Sequence, residues 1–285
     1  MNSTDDRMAK IYSLFIGHPY VDNIFNILDE LRKRRNSVKD PSEIQHAFIM
    51  GPSGVGKTTL IRAYADQNPR RSEIEKDCVP VVRAEIPQPL SAGSFYDSIL
   101  NALGALLVRR QTIDEKKLRV VHHLKGLGTE ILILDEFQHL FSKRNNEEMM
   151  DMVKHLANIS NVVLVCVGHN EINNLRNNAQ YKRRFKVINL PRFVACDDAF
   201  INLLWNVERK LHLRNESRLW DKETGVPQWL HETTGGILGF LMPLIQEAAR
   251  IAITPDDRGY CKERIDKEVL QQAYDAAPDG LSEVC

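Results

Sequence analysis

Eight residues, Gly51-Pro52-Ser53-Gly54-Val55-Gly56-Lys57-Thr58, satisfy the spacing G-x-x-x-x-G-K-[ST], with Thr59 directly after them. Glycines at these places let the backbone curl so that successive N–H groups converge on one point, which is what a phosphate group requires. In such a loop Lys57 reaches the β- and γ-phosphates of a nucleotide, and the Thr58 hydroxyl binds magnesium. About eighty residues on, Ile131-Leu132-Ile133-Leu134 runs into Asp135-Glu136. An apolar strand ending in two carboxylates places one of them, Asp135, to hold a magnesium shell, and the other, Glu136, to orient and deprotonate an attacking water. A later apolar run, residues 162–167, ends near His169 and Asn170, where a group that positions water is expected. Beyond it, Tyr181-Lys182-Arg183-Arg184-Phe185 sets two arginines at the end of a short predicted helix, a place suited to a finger reaching the γ-phosphate bound by a neighbouring subunit.

These residues need a scaffold, and the hydrophobic pattern supplies one. Apolar runs that do not alternate with polar residues predict strands at 46–50, 79–84, 130–134, 161–167 and 186–190, with helices between most of them. Strands of that kind belong to a parallel sheet covered on both faces. The phosphate loop follows the first strand and opens a helix, so the helix dipole adds to its anion-binding character, and the carboxylates of the acidic strand lie at the same C-terminal sheet edge. Val21, Ile24, Phe25, Leu28 and Leu31 predict a helix over 21–35 that precedes the sheet. After about residue 196 the pattern is wholly helical. A boundary is therefore expected near Pro191 to Cys196, dividing an α/β domain, 1–195, from a helical one, 196–285.

Composition narrows the classes. The chain has 285 residues, 43% hydrophobic and 27% charged, with no net charge, which fits an ordinary soluble protein and argues against one that coats nucleic acid through bulk charge. No apolar run is long enough to span a bilayer, and the first ten residues lack the apolar core of a signal peptide, so a cytoplasmic location is expected. Cys78, Cys166, Cys196, Cys261 and Cys285 contain no C-x-x-C pair and read as reduced thiols rather than a disulfide or zinc framework. The basic residues are bunched at 32–35, 109–110, 116–119 and 182–186, and such runs are commonly solvated helix faces.

The order of the phosphate loop, the Ile131–Glu136 strand, the stretch at 167–171, the arginine pair and a helical lid resembles that of AAA+ ATPases. Within them the chain resembles the TniB and TnsC group, ATP-dependent regulators of DNA transposition, also through residues 17–31, 124–136, 233–253 and 265–274. The resemblance implies ATP and Mg2+ as cofactors, with His169 as the first sensor and Arg184 as the finger, Arg183 being its alternative. It implies subunits that self-associate as rings or filaments on duplex DNA, mark a target site, recruit or activate a transposase and are dismantled by hydrolysis, with a target-selection protein or complex as a further partner. One departure stands out. Many relatives carry a lid arginine after a G-x-x-G stretch, whereas Gly236-Ile237-Leu238-Gly239 is followed by Phe240.

Residues 108–126 hold six Lys or Arg against two acids, a local charge of +4 in a neutral chain. Arg109, Arg110, Lys116 and Lys117 are accordingly expected to track DNA phosphates without reading bases. The opposing expectation makes Lys116, Lys117 and Arg119 the wet face of a helix whose buried face is Leu118, Val121 and Leu124. An origin-initiator or helicase-loader ATPase, a weakly hydrolysing ATP-held scaffold and a P-loop kinase are the alternatives in function, the kinase being disfavoured by the D-E pair and the R-R-F element.

Overall fold

The computed structural model describes residues 4–72, 77–141, 146–169, 179–255 and 259–276, so Asn170 and Cys285 lie outside the described residues. In chain order the elements begin with helices α1 (Thr4–Tyr12) and α2 (Pro19–Arg35), strand β1 (His46–Met50) and α3 (Lys57–Gln67). A short pair, β2 (Arg71–Ser72) and β3 (Asp77–Cys78), precedes β4 (Val81–Glu85), α4 (Ala92–Ala102) and α5 (Ile113–Gly126). Then come β5 (Ile131–Asp135), α6 (Asn146–Ser160), β6 (Val163–Gly168), α7 (Ala179–Arg184) and β7 (Phe185–Asn189). Four helices follow: α8 (Asp198–Leu211), α9 (Val226–Thr234), α10 (Leu238–Ile253) and α11 (Lys267–Asp275).

The five expected strands form one sheet in the order β4-β5-β6-β1-β7, and every pairing in it is parallel. The strand expected from residue 79 starts at Val81, because Pro80 has no N–H to give the ladder; its carbonyl instead accepts from Glu130 and Ile131. The antiparallel β2–β3 pair was not expected. All five residues of β1 and of β5 are buried, as strands covered on both faces must be. Alternate residues, Phe48 and Met50, Leu132 and Leu134, Leu164 and Cys166, share one core with Ile99, Leu124 and Val153 from the helices on that face. Each such side chain contributes roughly 1.5–3 kcal/mol by leaving water.

By their internal contacts the residues form two units, one of Asn23–Pro52 and Lys57–Leu190, the other of Met1–Asp22, Ser53–Gly56 and Pro191–Cys285. This division differs from a single cut at 195/196. The helical unit takes in α1, whose Met8 and Ile11 are buried with Leu204, Leu241 and Ile245, and also the middle of the phosphate loop. Contacts distant in sequence made that assignment, and no composition shift marks them.

Part of the basic run at 32–35 is structural. Arg32 Nε donates to Glu130 Oε2 at 2.7 Å and its Nη1 to Asn68 Oδ1 at 2.6 Å, while Arg35 Nε donates to the Asn161 carbonyl.

Candidate nucleotide-binding site

The phosphate loop connects β1 to α3. Gly54 and Gly56 hold φ of +75° and +91°, left-handed values that glycine adopts without penalty. The amides of Gly54, Val55 and Gly56 donate to no other group among the described residues, which leaves a concave run of N–H donors of the kind that receives an anion. Lys57 is folded back, its Nζ donating to the carbonyls of Gly51 at 2.9 Å and Pro52 at 2.7 Å. Burial pushes its pKa down, while the nearby charges of Glu136 and Asp135 pull it up. Thr59 is exposed on the first turn of α3.

The sheet register brings the acidic pair to this loop. Asp135 ends β5 beside Glu85 of β4 and is only 2% exposed. Burial raises its pKa, opposed by hydrogen bonds from the Glu136 amide and the Thr58 hydroxyl and by the charge of Arg83. The Thr58 hydroxyl is thus near enough to Asp135 to lower its pKa. A hydroxyl and a carboxylate that share a site at the end of the loop are the donor set expected for a magnesium ion that keeps most of its waters and takes phosphate oxygens.

Glu136 has φ +55°, a left-handed backbone that costs a residue with a side chain about 1–3 kcal/mol and is found where the surroundings hold it. What holds it is a 3-10 turn, Phe137–Phe141. The turn returns Gln138 toward Glu136, and the Gln138 amide donates to Glu136 Oε2 at 2.5 Å. The same side chain accepts from the backbone amide of His169 at 3.3 Å, so Gln138 joins the acidic strand to the end of β6. His139 Nε2 lies 3.8 Å from the same oxygen, Glu136 Oε2.

Two of these groups were missed from the sequence. Arg83, 3.5 Å from Asp135, was the one charge inside an apolar run and could have been noticed. Gln138 gives no such signal, because its reach depends on the 3-10 turn.

The arginine pair behaves differently from expectation. Arg184, expected as the finger, turns into its own subunit: its Nη2 lies 3.0 Å from His46 Nε2 and donates to Asn158 Oδ1 at 2.8 Å. His46 is fully buried and accepts from the Leu164 amide through Nδ1. Burial, with Arg184 beside it, lowers its pKa to about 3, so it stays a neutral partner. Arg183 is exposed. Arg184 is already engaged with α6 and β1, whereas the side chain of Arg183, the alternative, forms no hydrogen bond or ion pair among the described residues.

The basic segment is also sorted by the structure. A capping box between Thr112 and Glu115 starts α5, and Arg109 and Arg110 are exposed in the turn before it. Lys116 is paired with Asp97 at 2.5 Å, which takes it out of the expected set of free cations; Lys117 forms no ion pair among the described residues. The proposed buried face fails at Leu118, which is 67% exposed, while Val120 and Leu124 are buried. Leu106, Leu107 and Val108 are exposed beside Arg109.

Within the helical unit, the start of α10 explains the G-x-x-G stretch. The Gly239 amide donates to the Gly54 carbonyl at 2.7 Å, and a Cβ on Gly239 would lie 3.0 Å from both the Cα and the oxygen of Gly54. Gly236 sits at φ +65°, with the Phe193 carbonyl 1.9 Å from where a Cβ would be. These glycines serve backbone approach, and a long side chain has no room at 239.

Comparisons with known proteins bear on the fold and the family. The chain is 24% identical over 182 residues to ClpL, the ATP-binding subunit of the ATP-dependent Clp protease of Lactococcus lactis subsp. lactis, a stretch that is 58% of this chain and 22% of that protein. Among solved structures, the ORC1 protein of Aeropyrum pernix in complex with DNA matches 93% of this chain and 66% of its own, with a TM-score of 0.65 at 16% identity. Cdc6p from Pyrobaculum aerophilum matches 86% and 65%, with a TM-score of 0.59 at 18% identity. The RuvB Holliday junction branch migration motor of Thermotoga maritima matches 92% and 70%, with a TM-score of 0.52 at 16% identity. At such identities the likeness establishes the AAA+ P-loop ATPase fold and nothing finer. The family described as Bacterial TniB protein matches residues 7–195, from the first helix through every strand of the sheet, and the chain therefore belongs to the TniB family.

Proposed function

We propose that this protein is an ATP-hydrolysing regulator of DNA transposition, which assembles with ATP on duplex DNA, marks a target site, recruits or activates a transposase, and is released by hydrolysis. The observation that carries this is membership of the TniB family in a chain that keeps the Lys57 loop, Thr58, Asp135 and Glu136 near one another. Bound magnesium would neutralise charge developing on the phosphates. Thr58 and Asp135 would hold it, Lys57 exchanges its loop carbonyls for phosphate oxygens, and Glu136 accepts the proton of the attacking water. Gln138 keeps the Glu136 carboxylate in place, and Arg183 completes the site of an adjoining subunit. Arg109, Arg110 and Lys117 are assigned to DNA phosphates.

A second reading, an initiator-type ATPase, is favoured by the fold shared with ORC1 and Cdc6p. Electron microscopy of the protein with duplex DNA and a slowly hydrolysed ATP analogue, with turnover measured alongside, tests both. Nucleotide-dependent rings or filaments whose turnover responds to DNA, together with retention of a transposase in pulldowns, support the proposal. Retention of a replicative helicase instead favours the initiator reading. Monomers under every condition contradict assembly.

A further inference from the structure

The helical unit carries a groove that the nucleotide chemistry does not use. Two concavities, of about 420 and 310 Å3, lie side by side, with His212 and Arg214 lining both. They lie where α1 passes the C-terminal end of α8. We propose that this groove is a docking site for an acidic peptide segment of a partner protein, with carboxylates at one end and an aromatic or large apolar anchor at the other.

The larger concavity is cationic. Ile11 and Leu211 contribute apolar surface, Arg7, Lys10 and Lys210 line it, and among the described residues no carboxylate does. Glu263, buried behind it, fixes two of the cations: Arg7 reaches its two oxygens at 2.7 and 2.8 Å, and Arg214 Nε lies 3.7 Å away. Arg214 nevertheless keeps 75% of its side chain exposed. Lys10 and Lys210 pair with no carboxylate among the described residues; Lys210 gives one of its three donors to the Phe15 carbonyl. Among the described residues one buried acid thus pairs with two of four cations, Arg7 and Arg214, and leaves Lys10 and Lys210 without a carboxylate. The surplus is positive and ordered, a setting for charge-assisted bonds to carboxylate oxygens.

The smaller concavity is aromatic. Trp205 and Trp220 are 42% and 36% exposed, and the Arg209 guanidinium sits 4.5 Å over the Trp205 ring. Glu208 is spent within the fold, since its oxygens accept the amides of Ser217, Arg218 and Leu219 at 2.7–2.8 Å. That clamp builds the loop leading to Trp220. Exposed tryptophans beside arginine are the residues that dominate binding energy at protein interfaces.

Polarity decides the occupant. A nucleic acid backbone is uniformly negative, and its path along the groove would meet Glu216 and Glu208 beside the tryptophans. A peptide can place carboxylates at the Lys10–Arg214 end and an uncharged anchor at the Trp220 end. This proposal does not depend on the nucleotide site, and all its residues lie outside it.

Selection of a random twelve-residue displayed peptide library on the full chain tests it, followed by fluorescence anisotropy with the enriched peptides. Enrichment of peptides that combine Asp or Glu with Trp, Phe or Leu is expected. Their affinity should fall at least tenfold in Lys10→Glu/Arg214→Glu and in Trp220→Ala, with Tm and ATP-analogue binding retained. No enrichment, enriched peptides without carboxylates, or equal affinity for the variants overturns the proposal. So does displacement of the peptides by single-stranded or duplex DNA whose own binding requires Lys10 and Arg214.

Discussion

On the proposed function, Lys57 and Glu136 serve different parts of the same event, and their variants should separate it. Lys57→Ala removes the cation opposite the phosphates and should weaken ATP binding itself, measured by titration with a fluorescent analogue. Glu136→Gln should bind ATP with unchanged affinity and lose most turnover, because an amide orients water but cannot accept its proton. Gln138 gives a subtler case. Its hydrogen bonds among the described residues go to Glu136 and the His169 amide and not to the phosphate loop, so on the proposed function it acts by positioning. Gln138→Ala should lower kcat about tenfold with KM nearly unchanged, and Gln138→Asn, which keeps the amide on a shorter stem, should recover part of it. If kcat stays at the unmutated value in Gln138→Ala, the hydrogen bond to Glu136 has no part in hydrolysis.

At the scale of elements, α10 makes a prediction whose sign reverses the usual one. Replacing a helical glycine with alanine ordinarily stabilises by up to about 1 kcal/mol. At Gly239 the added Cβ would meet Gly54 backbone at 3.0 Å, and backbone yields less readily than the end of a flexible side chain. Gly239→Ala should therefore lower Tm and also weaken nucleotide binding, because the displaced segment is the phosphate loop. A higher Tm with intact binding would show that α10 does not hold that loop. The α5 segment makes a second prediction. If it tracks DNA phosphates, Arg110→Ala/Lys117→Ala should flatten the salt dependence of binding by about one unit of slope per lost contact. Lys116→Ala should leave the slope where it is, since Asp97 already satisfies that charge. An unchanged slope in the double variant would make this stretch a solvated helix face.

For the whole molecule, the two arginines before β7 separate assembly from folding. Arg183→Ala should leave Tm and ATP binding unchanged and abolish nucleotide-dependent assembly and hydrolysis, because a finger completes a neighbour's site and not its own. Mixing it with Lys57→Ala should restore part of the turnover, since some composite sites then hold an intact loop and an intact finger. Arg184→Ala should instead lower Tm, leaving His46 and Asn158 without their shared donor. Recovery in mixtures of Arg184→Ala but not of Arg183→Ala would return the finger to Arg184.

Sequence alone was enough for the phosphate loop, the acidic strand and the parallel sheet. Each rests on local spacing: glycines that permit φ above zero, a lysine and a threonine next in the chain, and strands apolar at every position because both faces are covered. Tertiary structure decided what becomes of side chains that reach across the fold. Arg183 and Arg184 are adjacent and alike in the chain, but only Arg184 meets His46, 138 residues away, and Asn158. Lys116 and Lys117 are likewise equivalent until Asp97 chooses one of them. Gln138 became part of the site only when the turn after Glu136 brought it between that carboxylate and His169, and Gly239 became a contact only when α10 met Gly54. Composition and periodicity report which face of an element is apolar. They carry no information on which polar group of one element lies within hydrogen-bonding distance of another, because that is fixed by how the elements pack.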